Sequence, residues 1–109
     1  MTNERRLTPR FGARLKVVFH LGTQTYSGIS RDISRDGIFI CTNASIPCGS
    51  RLDLVIESSP HRSPIITRGV VVHRLAGNGV GVRFEHLMRD ADARVAELLK
   101  VMYVPAADT

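Results

Sequence analysis

With 109 residues, 43% of them hydrophobic, the chain is long enough for one domain with a core of its own. No run approaches the roughly 18 consecutive apolar residues of a transmembrane helix, and the first twelve residues lack the apolar core of a secretory signal. We therefore expect a cytoplasmic protein without membrane insertion. The net charge of +5 is concentrated in residues 1–16, and the nearly neutral remainder excludes the broad basic surface that binds long nucleic acids.

The chain begins with an arginine-rich arm over residues 1–12, which contains RRLTPR at positions 5–10. Pro9 keeps Thr8 out of the helical region, so this stretch is predicted to be extended or turned. Because so polar a segment buries little surface, we expect the arm to be mobile without a ligand. A local basic cluster of this kind indicates a compact anion as its partner.

Six β-strands are predicted after the arm. Leu52, Leu54 and Ile56 alternate with polar residues, which is typical of a half-buried strand. Gly69 is a candidate position for a β-bulge, and AGNG at positions 76–79 predicts a hairpin turn. Strands at hairpin spacing favour a small antiparallel barrel. The six segments are ARLKVVFHL, YSGISRDIS, GIFICT, RLDLVIES, IITRGVVVHRL and VGVRFEHL.

A helix is predicted from Asp90 to Met102. Apolar residues recur there at three- and four-residue spacing, as on one face of a helix, and Lys100 near the end suits the helix dipole. This face either caps the barrel or docks a partner. The helix completes a predicted domain over residues 13–104, and residues 105–109 form a tail. The apolar residues are Ala91, Val95, Leu98, Leu99 and Met102.

The sequence does not predict an enzyme. Its histidines lack metal-ligand spacing, and none of its serines or cysteines lies in a nucleophile signature. The glycine-rich GNGVGV lies in a hairpin with no following helix to hold a phosphate. We therefore expect no catalysis, no metal and no cofactor. The scattered histidines are His20, His61, His73 and His86.

Two short stretches carry residues suited to binding. Arg6 and Arg10 have the spacing Arg-x-x-x-Arg, and guanidinium groups grip phosphates, stack on flat rings and pair with guanine. In DISRDG, the acceptor-only carboxylate of Asp32 suits the N1–H and amino group of guanine, and Ser34 offers a hydroxyl. Gly37 allows a positive φ or a close approach of the ligand. Either stretch alone could instead be a solvated arm or a polar turn in which Asp32 bonds its own backbone.

Together, in this order, these segments resemble a PilZ domain, the bacterial receptor module for cyclic di-GMP. The resemblance implies an all-β fold, a six-stranded antiparallel barrel with a C-terminal α-helix, and a ligand that lies outside the barrel between arm and strands. It covers nearly the whole chain. The segments that carry it are RRLTPR, YSGISRDISRDGIFI, PCGSRLDLVI, GVVVHR and GVGVRFEHL.

The resemblance also implies a role for each motif residue. Arg6 and Arg10 would clasp the phosphates and stack on or pair with guanine. Asp32 and Ser34 would read a guanine edge, and Gly37 would keep the surface open. Ligand binding would then order the arm on the barrel, and the changed surface would signal to a partner protein that the sequence does not identify.

Several finer points follow from the same resemblance. Arg5, directly before the arginine pair, implies an intercalated ligand dimer and hence two ligands per protomer. His73 or Arg74 would border the site. Asp36 departs from the usual Gly-Gly, and its negative charge would weaken binding or pair with Arg35.

Two other functions are weighed against a cyclic di-GMP receptor. The first is a PilZ-like protein–protein interaction module with little or no nucleotide binding. The second is a barrel that binds RNA or single-stranded DNA, which needs aromatic residues on its strands. With no tryptophan and 6% aromatic residues, the chain does not favour the second.

Overall fold

A computed structural model describes residues 9–58, 62–85 and 89–102, with only the backbone at residues 89, 90, 101 and 102. The predicted tail over residues 105–109 lies outside this range. The chain forms seven strands followed by a helix. These are β1 (Phe11–Gly12), β2 (Lys16–Leu21), β3 (Gln24–Ile33), β4 (Gly37–Cys41), β5 (Arg51–Glu57), β6 (Ile65–Leu75), β7 (Gly79–Phe84) and α1 (Arg89–Met102).

The strands form a closed antiparallel barrel. Their order in the sheet is β1-β3-β2-β5-β6-β7-β4, and β4 pairs back onto β3, so that six strands close a ring and β1 extends one edge of β3. Consecutive barrel strands are joined mostly by hairpins, as their spacing in the sequence predicted. The prediction of a six-stranded antiparallel barrel with a C-terminal helix is confirmed.

Alternation along the strands fills the barrel. Leu52, Leu54 and Ile56 are fully buried, whereas the neighbouring Arg51, Asp53 and Glu57 are exposed. Side chains of a strand point alternately to its two faces, so one face of each strand supplies the core and the other faces outward. The core also includes Val17, Phe19, Ile33, Ile38, Ile40, Ile46, Ile65, Val71, Val80, Val82 and Phe84.

The end of the predicted arm forms a strand that the sequence did not predict. Phe11 and Gly12 pair with Ile33 and Asp32 of β3. A strand of two residues is too short to show alternation, which is why the pattern placed it in the arm. The arm is therefore joined to the barrel at β1.

A serine hydroxyl bridges the gap between β1 and β2, so the predicted first strand is interrupted. The buried Ser30 side chain accepts a hydrogen bond from the Leu15 amide at 2.8 Å and donates one to the carbonyl of Ala13. It thereby satisfies two backbone groups that the sheet leaves unpaired at this point. β2 consequently begins at Lys16.

The prediction of a bulge at Gly69 was wrong. The irregularity in β6 lies between Val71 and His73, and Gly69 pairs regularly with both neighbouring strands. Glycine is required there because a Cβ would lie 2.4 Å from Cγ1 of Val82 and 2.8 Å from the carbonyl oxygen of Arg83. Close packing of β6 against β7 explains this glycine.

Helix α1 packs against the barrel. Val95 and Leu99 belong to the same buried cluster as the strands. Arg94 donates hydrogen bonds to the carbonyl oxygens of Ser63 and Pro64, at 2.6 and 3.1 Å, in the segment before β6. The apolar face of α1 therefore caps the barrel, which is the first of the two functions considered for it. Among the described residues, no helix is long and apolar enough to cross a membrane.

Candidate functional site

The centre of the candidate site is Asp32, on the outer surface of β3. Nε of Arg10 donates to Oδ1 of Asp32 at 2.6 Å, and a terminal nitrogen of the same guanidinium contacts that oxygen too. Nε of Arg31 donates to Oδ2 at 2.9 Å. Each carboxylate oxygen therefore has its own arginine. β1 makes this possible, because pairing of Gly12 with Asp32 brings Arg10 alongside β3.

The environment of Asp32 keeps its side chain ionised. Partial burial by itself would raise the pKa of Asp32, but hydrogen bonds from Arg31 and Arg10 outweigh it and hold the pKa below the ordinary 3.8. The side chain remains 17% exposed. Asp32 is thus a partly accessible carboxylate that can only accept hydrogen bonds.

Arg31 and Phe39, which the sequence analysis did not identify as site residues, complete this surface. Cζ of Arg31 lies 4.0 Å above the ring centroid of Phe39, in cation–π geometry. His73 lies beside the same ring, with centroids 6.4 Å apart. The alternation of the strand could have identified Phe39. Its neighbours Ile38 and Ile40 belong to the core. Alternation therefore places the large apolar side chain of Phe39 on the outer face, where another side chain is expected to cover it.

Ser34 shapes the turn between β3 and β4. Its side chain is 1% exposed, and its Oγ accepts hydrogen bonds from the amides of Asp36 at 3.1 Å and Gly37 at 3.2 Å. The amide of Ser34 donates to the carbonyl of Gly37 at 2.8 Å. In the described structure this polar turn is held by Ser34, while the side chain of Asp32 faces the arginines. The predicted role of Ser34 in reading guanine is not tested by these contacts and stays a prediction.

Gly37 is required by strand packing. A Cβ at this position would lie 2.2 Å from the carbonyl oxygen of Val82 on β7. The positive φ considered for it is wrong, because the glycines with positive φ in the described chain are Gly22, Gly49 and Gly77. Its predicted contribution to an open ligand surface is not tested.

The structure places the remaining residues considered in the sequence analysis in different positions. His73 lies next to the Phe39 ring, near the Asp32 cluster, whereas Arg74 donates to Oγ of Ser45 at 3.4 Å, in the loop after β4. Arg5 and Arg6 lie outside the described residues. Because the exposed Arg35 lies 3.7 Å from Asp92 of α1, it is engaged with the helix.

A cleft of about 480 Å³ opens between the end of the arm and α1. Its rim is cationic, with Arg35 on one side and Lys100 on the other. Among the described residues, no group of three or more His, Cys, Asp or Glu is placed to hold a metal ion. The cleft is lined by Pro9, Phe11, Arg35, Ala96, Leu99 and Lys100.

The PilZ domain family matches residues 4–100, which include most of the arm, every strand and most of the helix. The chain belongs to the PilZ domain family. The resemblance given by its two motifs is therefore confirmed over nearly its whole length. No curated protein matches the chain.

Solved structures share the fold of this PilZ domain at low sequence identity. The PilZ domain of Escherichia coli YcgR with c-di-GMP superposes with a TM-score of 0.75 at 12% identity, covering 91% of this chain and 92% of that one. The K. pneumonia MrkH–c-di-GMP complex gives 0.76 at 18%, covering 97% and 56%. Bacillus subtilis MotI/DgrA, an inhibitor of motility, gives 0.72 at 21%, covering 91% and 52%. The chain thus spans about half the length of MotI and MrkH.

Proposed function

We propose that this PilZ domain is a receptor for cyclic di-GMP that reports ligand binding to a partner protein. The observation that carries the proposal is the meeting of Arg10, from the arm motif, with Asp32, from the strand motif, on the outer surface of the barrel. Two of its structural relatives, YcgR and MrkH, were solved with c-di-GMP. Membership of the PilZ family supports the same ligand.

The residues of the site match the ligand's two kinds of groups. Guanidinium groups bind phosphate oxygens through two parallel hydrogen bonds, which suits Arg10 and, in the arm before it, Arg6. The ionised Asp32 accepts from the N1–H and amino group of guanine, which no other common base presents in the same pair. One dianion thus satisfies both motifs.

Ligand binding would exchange partners at Arg10. In the free protein its guanidinium is held by Asp32, a pairing worth about 1 kcal/mol at such a partly exposed site. A phosphate offers a competing and stronger acceptor, so the guanidinium turns to the ligand and draws the arm with it. Pro9 and Phe11 form part of the cleft against α1, and the same movement would change the surface offered to the partner.

Calorimetric titration of the full chain with cyclic di-GMP, GTP and cyclic di-AMP tests the proposal. We expect selective binding of cyclic di-GMP, weakened about 10- to 100-fold in Arg10→Ala, because that variant loses charge-assisted hydrogen bonds. The matched control is Arg62→Ala, which removes the same charge from the exposed loop between β5 and β6 and should leave affinity unchanged. Absence of heat from the folded wild-type protein would overturn the proposal in favour of a protein–protein interaction module.

Two finer parts of the proposal have their own measurements. If Arg5 supports an intercalated ligand dimer, the titration fits two ligands per protomer, and a fit of one rejects that role. If the ligand orders the arm, hydrogen exchange of the arm amides slows when ligand is added. Equal protection with and without ligand would contradict ordering of the arm while leaving the receptor intact.

A further inference from the structure

A bulge in β3 places Arg31 on the same outer surface as Asp32. Neighbouring residues of a regular strand point to opposite faces, but the pairing of β3 with β4 shifts register between Ser30 and Asp32, which leaves Arg31 as the extra residue. Bulges of this kind redirect a side chain. The redirected guanidinium reaches Oδ2 of Asp32 at 2.9 Å.

Phe39 is the support on which Arg31 lies. It is the cross-strand partner of Asp32, so the two side chains share one face. Phe39 is only 4% exposed, although it does not belong to the buried cluster inside the barrel. It fits because Gly79, on the next strand, has no side chain: a Cβ there would lie 2.6 Å from Cε1 of Phe39. Arg31 covers the ring from above, with Cζ 4.0 Å from its centroid.

The guanidinium of Arg31 is therefore fixed in two directions. One face rests on Phe39, and Nε points along the carboxylate of Asp32. Arg10, in contrast, reaches Asp32 from the arm, on the other oxygen. When Arg10 turns to a phosphate, Arg31 is the described contact that still holds the carboxylate.

We propose that Arg31, supported by Phe39, is the positioning residue that orients the Asp32 carboxylate toward the donor edge of guanine and thereby sets selectivity for guanine over adenine. The proposal rests on the proposed cyclic di-GMP function. Each carboxylate oxygen can accept two hydrogen bonds. With Oδ2 engaged by Arg31, both oxygens keep an outward lone pair for N1–H and the amino group of guanine, whereas adenine presents an acceptor at N1.

The experiment compares arginine variants of the full chain by titration with cyclic di-GMP and cyclic di-AMP. Arg31→Ala should bind cyclic di-GMP about tenfold more weakly and lose selectivity, since a hydrogen bond to a charged group is lost. Arg68→Ala is the matched control: that side chain is similarly exposed, at 49% against 56%, and its Nε donates to Oδ1 of Asp53 at the same 2.9 Å, but on strands β5 and β6. Its affinity should stay within about twofold of wild type.

Two further variants separate orientation from charge. Arg31→Lys keeps the charge but not the planar group, so it should recover only part of the affinity. Phe39→Leu keeps an apolar side chain but removes the ring under Arg31, and it should weaken binding in the same direction. Thermal unfolding of each variant confirms that the barrel remains folded.

A pH profile distinguishes positioning from a general structural effect. The charged groups that the structure pairs with Asp32 are Arg10 and Arg31, and the residue facing it from β4 is the uncharged Phe39. Removing Arg31 takes away one of the two interactions that lower the pKa of Asp32, so affinity should begin to fall at a higher pH on acidification than in wild type. Arg68→Ala should leave that profile unchanged.

The outcomes are separable. If wild type binds cyclic di-GMP and Arg31→Ala binds it with the same affinity, selectivity and pH profile, the role of Arg31 is overturned and the receptor function stands. If folded wild type binds none of the nucleotides, the receptor function fails, and the guanine-positioning role fails with it.

Discussion

The residues of the DISRDG motif lie in two different environments. Asp32 lies outside, partly exposed and paired with Arg10 and Arg31. Ser34 and Gly37 are buried: Ser34 holds the turn, and Gly37 lets β4 approach β7 closely. The sequence predicts this motif as a set of ligand contacts. In the structure it combines one charged, partly exposed residue with two buried residues that shape the turn and the strand pairing.

The buried residues of the motif, Ser34 and Gly37, should contribute most to stability, and Gly37→Ala tests this most strongly. The added Cβ would lie 2.2 Å from a backbone oxygen that cannot move without breaking the β4–β7 pairing. We expect a loss of about 3 kcal/mol in the free energy of unfolding, measured by chemical denaturation. Gly12→Ala is the control, because a Cβ there meets nothing within 4 Å and should change stability by less than about 0.5 kcal/mol.

Ser34→Ala should cost less, about 1–2 kcal/mol, because the amides of Asp36 and Gly37 lose their acceptor. Ser27→Ala on the exposed side of β3 serves as its control and should be near neutral. Unfolding and cyclic di-GMP titration are measured on the same samples. If the variant keeps full stability but loses affinity, Ser34 contacts the ligand rather than stabilising the turn, and it would belong with Asp32.

Asp32→Asn should cost about 1 kcal/mol at neutral pH, the scale of a partly exposed ion pair. The pKa of Asp32 is lowered in the folded protein, so its contribution is complete above the ordinary value of 3.8 and is lost as the pH falls through the lowered pKa. The difference in unfolding free energy between wild type and the variant should therefore shrink from about pH 7 to about pH 2.5. A difference that is constant with pH would mean that ionisation of Asp32 does not stabilise the fold.

The smallest effect is expected at Asp36, which is exposed in the same turn. Asp36→Asn removes a negative charge near the proposed dianionic ligand and should tighten cyclic di-GMP binding by no more than about fivefold, with little effect on stability. Added salt should reduce this difference. A larger change would place Asp36 in direct contact with the ligand.

The barrel was predictable because its signals are local. Alternation at Leu52, Leu54 and Ile56 and the turn at Gly77 are each contained within a few residues. The helix was predictable from the spacing of its apolar residues, and Val95 on that apolar face is buried. The features that could not be predicted depend on contacts between distant segments.

The candidate site shows the same limit. Arg10 and Asp32 could be named from their chemistry, but Arg31 enters only through a bulge whose position depends on the register between β3 and β4. Likewise, Gly37 was interpreted as a ligand-facing glycine because the close approach of β7 is invisible in the sequence. Spacing identifies which groups are present, and register decides which of them meet.

The hydroxyl of Ser30 has a mechanical consequence for the arm. One oxygen joins Ala13 to Leu15 across the break between β1 and β2, so the chain is anchored there independently of the two-residue strand before it. Between the arm and β2 the chain is therefore attached to β3 twice, through the pairing of β1 and through Ser30. If the proposed ligand moves the arm, this second anchor would keep the displacement away from β2 and the core.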